Sequence, residues 1–250
     1  MSSRADQIGT LAADSGVDAE VVARAARALR AGQVIAIPTD TVYGLAAAIE
    51  KPEAIERLYA IKGRPEEKAI PVLISDTENV ERLSPHFSAM AARLARSFWP
   101  GALTLVLPAL PDLPRRVTEV TGDGLQTVAI RMPGNALARA IIAAAGGALA
   151  VTSANRSGAA PAVEAREVDR FALSQPLLVI DGGRAPGGVP STIVRATSEQ
   201  PEILREGAIP ASAIAKALAG MEAGHGEDVW ARYDPRVREQ ERNGVPKETR

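Results

Sequence analysis

The stretch "ALARAIIAAAGGALAVTSAN", residues 136–155, contains the pattern of a helix, a turn and a strand in direct succession. Its first part is mostly Ala and Ile, and Gly146 and Gly147 end that part before "ALAV" begins an apolar strand. Small polar residues follow the strand. A helix that leads into a buried strand with polar residues at its carboxyl end is typical of α/β proteins.

The same alternation extends in both directions. Upstream, "QVIAIPTD" predicts a strand that stops at Pro38, and "PEAIERLYAI" predicts a helix with Pro52 in its first turn. Another helix is predicted to begin after Asp18, a suitable N-cap. Downstream, "STIVRA" and "EILREG" predict an antiparallel pair of strands. The pattern as a whole predicts a mixed α/β domain with a largely buried sheet.

Changes in composition predict three parts of the chain. We expect a flexible N-terminus over residues 1–17, an α/β domain over 18–215, and a charged tail over 216–250. The tail is poor in aliphatic residues and is interrupted by Gly and Pro, so it is expected to be flexible or peripherally docked. Trp230 and Tyr233 are the candidate anchors for docking.

Composition also excludes several kinds of chemistry. With 30 acidic and 29 basic residues the net charge is −1, which argues against a surface that binds nucleic acid everywhere. The absence of Cys excludes disulfides and thiolate zinc sites. The two His residues, His86 and His225, are far apart in the sequence, which argues against a His-based triad or a multi-His metal site.

The sequence favours a cytoplasmic location. The first residues lack the apolar core of a signal peptide. The longest apolar stretch, residues 140–151, is interrupted by glycine and is shorter than the roughly 20 residues that span a bilayer.

The segment "IPTDTVYGL", residues 37–45, is the first candidate for a ligand site. Thr39, Asp40, Thr41 and Tyr43 offer hydrogen-bond donors and acceptors directly after a strand, where open α/β sheets bind their ligands. The same residues also fit a turn that caps the next helix. The sequence leaves both interpretations open.

The segment "KGRPEEK", residues 62–68, is the second candidate. Lys62 and Arg64, on a loop shaped by Gly and Pro, can hold a polyphosphate from two angles. The alternative is a solvent-exposed turn in which they pair with Glu66 and Glu67, and this stretch alone favours that alternative.

The segment "VTSANRSGAAPA", residues 151–162, is the third candidate. Ser153 and Asn155 follow a buried strand, and small polar side chains with free backbone amides suit a phosphate or a nucleotide base. Neither GxxxxGK[ST] nor GxGxxG after a strand is present. A turn rich in Ser and Asn is the alternative.

Four further polar residues lie at the ends of apolar strands, namely Arg131, Ser191, Thr192 and Arg205. Each one alone is more often a surface or strand-pairing residue. Their number in one chain favours a shared polar cleft, and thus an anion-binding α/β enzyme without a nucleophilic Cys or a His base.

Six segments follow one another in the order "PTDTVYGLAA", "KGRP", "FWPGALTLVL", "VAIRMP", "TSANRSG" and "PSTIV…ILREGAI". On these segments the chain resembles the YrdC-type threonylcarbamoyl-AMP synthase family over residues 18–215. The resemblance implies a twisted sheet of parallel and antiparallel strands, flanked by helices around a basic cavity. It also implies that L-threonine, bicarbonate and ATP are converted to threonylcarbamoyl-AMP and pyrophosphate, with Mg²⁺, for threonylcarbamoyl-adenosine modification of tRNA.

The resemblance further implies roles for single residues. Lys62, Arg64, Ser153 and Asn155 match the family's Lys-x-Arg and Ser-x-Asn pairs, which are implied to be catalytic and to bind ATP. Arg205 is implied to contact the ATP phosphates, through which Mg²⁺ would be held without direct protein ligands. The implied partners are downstream tRNA threonylcarbamoyl transferase proteins, with weak binding to RNA. The threonine and adenylate region is implied to be lined by Thr39, Tyr43, Arg131 and Ser191.

Two departures from the family pattern affect these expectations. Some relatives carry His or Asn after Lys-x-Arg-Pro, where this chain has "EEKAIP", so Lys68 is the candidate replacement in the threonine pocket. Longer relatives carry a second C-terminal domain behind a linker that crosses the active site. The tail is therefore either a remnant of such a lid or a free extension.

Two other functions stay open as alternatives. A carbamoyltransferase domain that forms carbamoyl-AMP has a similar fold, but such domains usually belong to larger chains with zinc-binding segments, and this chain has no Cys. A non-catalytic RNA-binding module would use the same basic cavity for a nucleic-acid backbone. An aromatic content of 3% leaves few platforms on which bases could stack.

Overall fold

A computed structural model describes residues 9–12, 17–63, 68–172, 177–198 and 200–219 of the 250-residue chain. Within these residues, eleven strands form one mixed sheet. The strands are β1 (Gly9–Ala12), β2 (Ile35–Ile37), β3 (Gly44–Ala48), β4 (Val72–Ile74), β5 (Leu103–Pro108), β6 (Thr118–Val120), β7 (Gln126–Arg131), β8 (Ala148–Ser153), β9 (Leu178–Asp181), β10 (Thr192–Arg195) and β11 (Glu202–Arg205).

The strands are arranged across the sheet in the order β1-β9-β2-β3-β8-β4-β7-β5-β10-β11, and β6 pairs with β7 beside this path. The pairs β1–β9, β2–β9, β4–β7 and β5–β10 are parallel. The other pairs are antiparallel, including the predicted pair of β10 and β11. In β5 and β10, Thr104 lies opposite Ile193.

Helices flank both faces of the sheet. As predicted, Asp18 caps the first helix, where its carboxylate accepts hydrogen bonds from the backbone amides of Glu20 (2.8 Å) and Val21 (3.3 Å). Pro52 begins the second helix, also as predicted. The described α-helices are α1 (Ala19–Arg30), α2 (Pro52–Lys62), α3 (Ala89–Phe98), α4 (Ala136–Ala145), α5 (Ala165–Ala172) and α6 (Ala211–Leu218), with 3-10 helices at Thr77–Arg82 and Arg115–Val117.

The two faces of the sheet are covered to different extents. Helices α2, α3, α5 and α6 pack on one face and form an apolar core with it. Helices α1 and α4 pack on the other face, where their core contains residues of β9, β2, β3, β8 and β4. We call these five strands the covered half of that face. The neighbouring strands β7, β5 and β10, which contribute nothing to that second core among the described residues, are its open half.

The strands and helices predicted from the sequence are confirmed in the described residues, and β1, β3, β6, α5 and α6 are additional. Strand β1 lies inside residues 1–17, which were expected to be flexible, and pairs in parallel with β9. Helix α6 crosses the expected boundary at residue 215. Residues 220–250, with Trp230 and Tyr233, are outside the described residues, so the division into domains stays a prediction.

The described helices are also too short or too polar for a bilayer. None of them combines the length and the apolar character that crossing a membrane requires.

Candidate active site

A cleft of about 430 Å³ lies on the open half of the sheet. The apolar residues of β5 and β7 that point away from the cleft belong to the core on the opposite face, because successive residues of a strand point to opposite faces. The alternation therefore places polar side chains in the cleft without interrupting the core. The floor of the cleft consists of Thr104 and Val106 from β5, and Thr127, Ala129 and Arg131 from β7.

The loop after β2 forms one wall of the cleft. Thr39 Oγ1 accepts hydrogen bonds from the backbone amides of Thr41 (3.1 Å) and Val42 (3.3 Å) and donates to Val42 O (2.6 Å). Gly44 follows, and a Cβ at that position would lie 2.6 Å from Val151 Cγ1, so only glycine fits without moving the Val151 side chain. Because the next element is strand β3, the interpretation of this segment as a helix cap is wrong.

Arg131 is held at the end of β7 by three partners. Its Nη2 donates to Asp40 Oδ1 (2.7 Å), its Nη1 to Thr41 Oγ1 (3.1 Å) and its Nε to Gly101 O (2.9 Å). The side chains of Arg131 and Asp40 are 8% and 20% exposed, so their ion pair is mostly shielded from solvent. Two N–H groups of the guanidinium are left over for a ligand, because the group has five in all.

Lys62 and the Ser-x-Asn pair form a second cluster. Helix α2 ends at Lys62, and Gly63 takes up the left-handed conformation (φ 59°) that turns the chain away. Lys62 Nζ donates to Ser153 Oγ (2.8 Å), Ser153 O (2.6 Å) and Asn155 Oδ1 (2.7 Å), while Ser153 Oγ donates to Asn155 Oδ1 (2.6 Å). Since Ser153 lines the cleft, this places a buried ammonium group against the cleft wall.

A third cluster joins β5, β10 and β11. Arg205 Nη2 and Nε donate to Ser191 O (2.7 and 3.2 Å), and Nη2 also lies 3.3 Å from Ser191 Oγ. Ser191 Oγ is in turn 2.9 Å from Thr104 Oγ1. Partial burial of the guanidinium lowers the pKa of Arg205, and the nearby positive charge of Arg131 lowers it further. Two cationic side chains therefore meet at this end of the cleft.

Tyr43 links the cleft wall to the end of β9. Its side chain is fully buried, and its hydroxyl group donates to Gly183 O (2.6 Å) and lies 3.4 Å from Asp181 Oδ1. Burial and the Asp181 charge raise the pKa of Tyr43 to about 12. The phenol is thus neutral and engaged with protein groups, so it fixes the loop after β9.

Most of the site residues predicted from the sequence meet at this cleft. Arg64 is outside the described residues, and Lys62 and Asn155 contact Ser153 rather than the cleft itself. Thr192, whose hydroxyl is bonded to the backbone of Gly207 and Ile209, does not line the cleft. The predicted residues that line it are Thr39, Thr41, Tyr43, Arg131, Ser153, Ser191 and Arg205.

Two polar residues of the floor, Thr104 and Thr127, were not predicted from the sequence. The sequence did contain a signal for them, because each of the apolar strands "LTLVLP" and "QTVAIR" has one Thr, at its second position. Lys68, the candidate replacement in the threonine pocket, lines the cleft, as does Glu119.

Comparisons with known proteins agree on one family. The family model of the Sua5, YciO and YrdC proteins, which carries the description "Telomere recombination", matches residues 27–207 of this chain. Threonylcarbamoyl-AMP synthase of Bacillus subtilis is 41% identical over 189 residues, which cover 75% of this chain and 54% of that protein. The chain thus spans about half the length of this relative.

Solved structures give the same result. The crystal structure of Pyrococcus abyssi Sua5 complexed with L-threonine matches with a TM-score of 0.79 and 34% identity, over 86% of this chain and 62% of that one. Escherichia coli YciO matches with a TM-score of 0.71 and 28% identity, over 81% of this chain and 96% of that one.

Proposed function

The chain belongs to the Sua5/YciO/YrdC family, and on that premise we propose that it is an L-threonylcarbamoyladenylate synthase. It would convert L-threonine, bicarbonate and ATP to threonylcarbamoyl-AMP and pyrophosphate. The product would then serve tRNA threonylcarbamoyl transferase proteins in the modification of tRNA, and the enzyme would work in the cytoplasm. The names of the Bacillus relative and of the threonine-bound Pyrococcus structure support this assignment.

The observation that carries the proposal is the convergence of side chains from separate segments on one cleft. Arg131 and Arg205, which are far apart in the sequence, both line it, and Lys62 is bonded to Ser153 on its wall. Such a set of cations suits the phosphates of ATP and the carboxylate of an amino acid. Arg64, from the same family signature as Lys62, is proposed to join them.

The reaction needs positioning and charge neutralisation more than covalent help from the protein. The amine of threonine captures CO₂ derived from bicarbonate and becomes a carbamate. A carbamate oxygen then attacks the α-phosphorus of ATP, and the bond to the β-phosphate breaks as pyrophosphate leaves. We assign Lys62, Arg64 and Arg205 to the phosphates, Ser153 and Asn155 to the orientation of Lys62, and Arg131 to an anionic group near the threonine.

A magnesium ion that is bound mainly by the substrate is part of this proposal. No three His, Cys, Asp or Glu side chains among the described residues come together as a metal-binding group. Mg²⁺ commonly keeps several waters and is bound through substrate phosphates with few protein ligands. When bound with ATP, it would neutralise charge on the departing pyrophosphate.

The experiment that tests the proposal measures pyrophosphate release from ATP by the purified chain with Mg²⁺ and bicarbonate, with and without L-threonine. We expect release that depends on threonine and that falls at least about 100-fold in Lys62→Ala, because a charge near the transferred phosphoryl group is lost. Lys51→Ala is the matched control. Lys51 precedes the opposite end of helix α2 and makes no capping hydrogen bond through its side chain.

Three other outcomes would contradict the proposal. Release that is equal with and without threonine would indicate a different acceptor, as in a carbamoyltransferase. Binding of RNA by a folded chain that releases no pyrophosphate would favour the RNA-binding module. Equal activity of Lys62→Ala and Lys51→Ala would remove Lys62 from the active site.

A further inference from the structure

Two chains of hydrogen bonds start from the two arginines of the cleft, and they end differently. The first runs from Arg131 to Thr41 Oγ1 (3.1 Å) and on to Thr39 Oγ1 (3.0 Å). Thr39 then donates to Val42 O (2.6 Å). Thr39 has only one hydroxyl proton and gives it to Val42 O, so Thr41, which accepts from Arg131, donates its own proton to Thr39. Each hydroxyl proton in this first chain therefore has an acceptor within the protein.

The second chain runs from Arg205 to Ser191 Oγ (3.3 Å) and on to Thr104 Oγ1 (2.9 Å). The two hydroxyl groups have two protons, and one of them is shared between the two oxygens. No described residue accepts the other proton, and Arg205 cannot, because a guanidinium has no acceptor. The pair thus retains one O–H donor, which is on Thr104 when Ser191 donates to Thr104, and on Ser191 when Ser191 accepts from both Arg205 and Thr104.

Both hydroxyl groups are well buried, since Thr104 is 2% and Ser191 8% exposed. A buried hydroxyl group without an acceptor is unfavourable, so it is found where a ligand or water completes the bond. Thr104 and Ser191 both line the cleft, which makes the cleft the place where that acceptor binds.

The charge around the Thr104–Ser191 pair indicates which kind of ligand atom would accept the hydrogen bond. Arg205 forms no ion pair with a described carboxylate, whereas Arg131 is paired with Asp40. Among the described residues, this end of the cleft therefore has an arginine without an ion-pair partner beside an unused hydroxyl donor. An oxygen that carries negative charge satisfies both, and charge-assisted hydrogen bonds of this kind are the stronger ones.

We propose that Thr104, oriented by Ser191 and Arg205, binds an anionic oxygen of a substrate in the cleft. The oxygen belongs either to a phosphate of the nucleotide or to the carboxylate of the amino acid. This inference rests on the proposed function, which supplies those two ligands, and it adds Thr104 to the substrate-binding residues.

The test measures equilibrium binding of ATP and, separately, of L-threonine to the full chain by titration calorimetry. Thr104→Val keeps the shape of the side chain and removes the hydroxyl group. We expect it to weaken one of the two ligands by about tenfold or more, and Thr104→Ser to stay within about threefold of the wild type. A loss for ATP identifies a phosphate oxygen, and a loss for L-threonine identifies the carboxylate.

Thr118→Val is the matched control. Thr118 lies on β6, which pairs with the floor strand β7, but it does not line the cleft, and its hydroxyl group donates to Arg115 O (3.3 Å). Its valine variant is expected to bind both ligands within about twofold of the wild type. Equal losses in Thr118→Val and Thr104→Val, or wild-type affinity for both ligands in a folded Thr104→Val, would overturn the proposal.

Ser191→Ala provides a second variant in case Thr104→Val does not fold. It removes the group that orients Thr104 and should weaken the same ligand at least about threefold. Wild-type affinity for both ligands in Ser191→Ala would overturn the proposal. Pyrophosphate release by the wild-type chain separates the two hypotheses, because binding that depends on Thr104 without threonine-dependent release would refute only the proposed function.

Discussion

The covered and open halves of one sheet face differ in the type of side chain at the alternate strand positions that point to that face. In the covered half, alternate residues such as Ile35, Ile37 and Leu149 pack against α1 and α4. In the open half, the corresponding positions include Thr104 and Arg131, which bond to other polar groups and line the cleft. Packing therefore stabilises one half, whereas hydrogen bonds stabilise the other and leave room for a ligand.

The largest expected effect comes from a cavity in the covered half. Ile141 of α4 is fully buried there, so Ile141→Ala should lower the free energy of unfolding by about 3 kcal/mol. Val106→Ala in the open half should lower it by only about 1 kcal/mol, because the cleft already lies beside Val106 and no enclosed cavity forms. Urea unfolding of both variants checks this, and equal losses would contradict the distinction between the halves.

A smaller effect is expected when the polar network of the open half loses its carboxylate. Asp40→Asn leaves Arg131 mostly buried without its counter-charge, so the free energy of unfolding should fall by about 2 kcal/mol. Glu56→Gln is the control, since the Glu56 side chain, which pairs with Arg116, is 55% exposed and should contribute less than about 0.5 kcal/mol. If urea unfolding gives the same loss for both, shielding of the Asp40–Arg131 pair has no energetic consequence.

The smallest effect concerns Tyr43, which lines the cleft and belongs to the core of the opposite face. Its pKa is raised from 10.0 to about 12, so the folded state holds the proton more tightly than the unfolded state. The stabilisation is complete below pH 10 and is lost as the pH rises through 12. Below that range, Tyr43→Phe should be less stable by about 1 kcal/mol, because Gly183 O loses its donor.

Denaturation of the wild type and of Tyr43→Phe at a series of alkaline pH values checks this. Lysine side chains titrate in both proteins, so the difference between the two curves isolates Tyr43. We expect the wild type to lose its advantage as the pH rises, and a constant difference would show that the phenol titrates normally.

Much of the fold was predictable, because periodicity and caps are local. Asp18 caps α1 and Pro52 begins α2 as the sequence indicates. Strand β1 was not predictable, since its four residues "GTLA" show no alternation and gain their partner only through β9. The same applies to α6, which packs on α3 across more than 100 residues of chain.

The candidate site divides in the same way. The candidate polar residues, among them Lys62, Ser153 and Arg205, could be identified from the sequence because residue type and spacing are local properties. That α1 and α4 leave half of one sheet face uncovered is a property of the folded chain alone. The folding of the chain also determines that the hydroxyl protons near Arg131 are used within the protein, whereas one near Arg205 is not. The physical reason is that hydrogen-bond partners distant in sequence become neighbours only when the sheet forms.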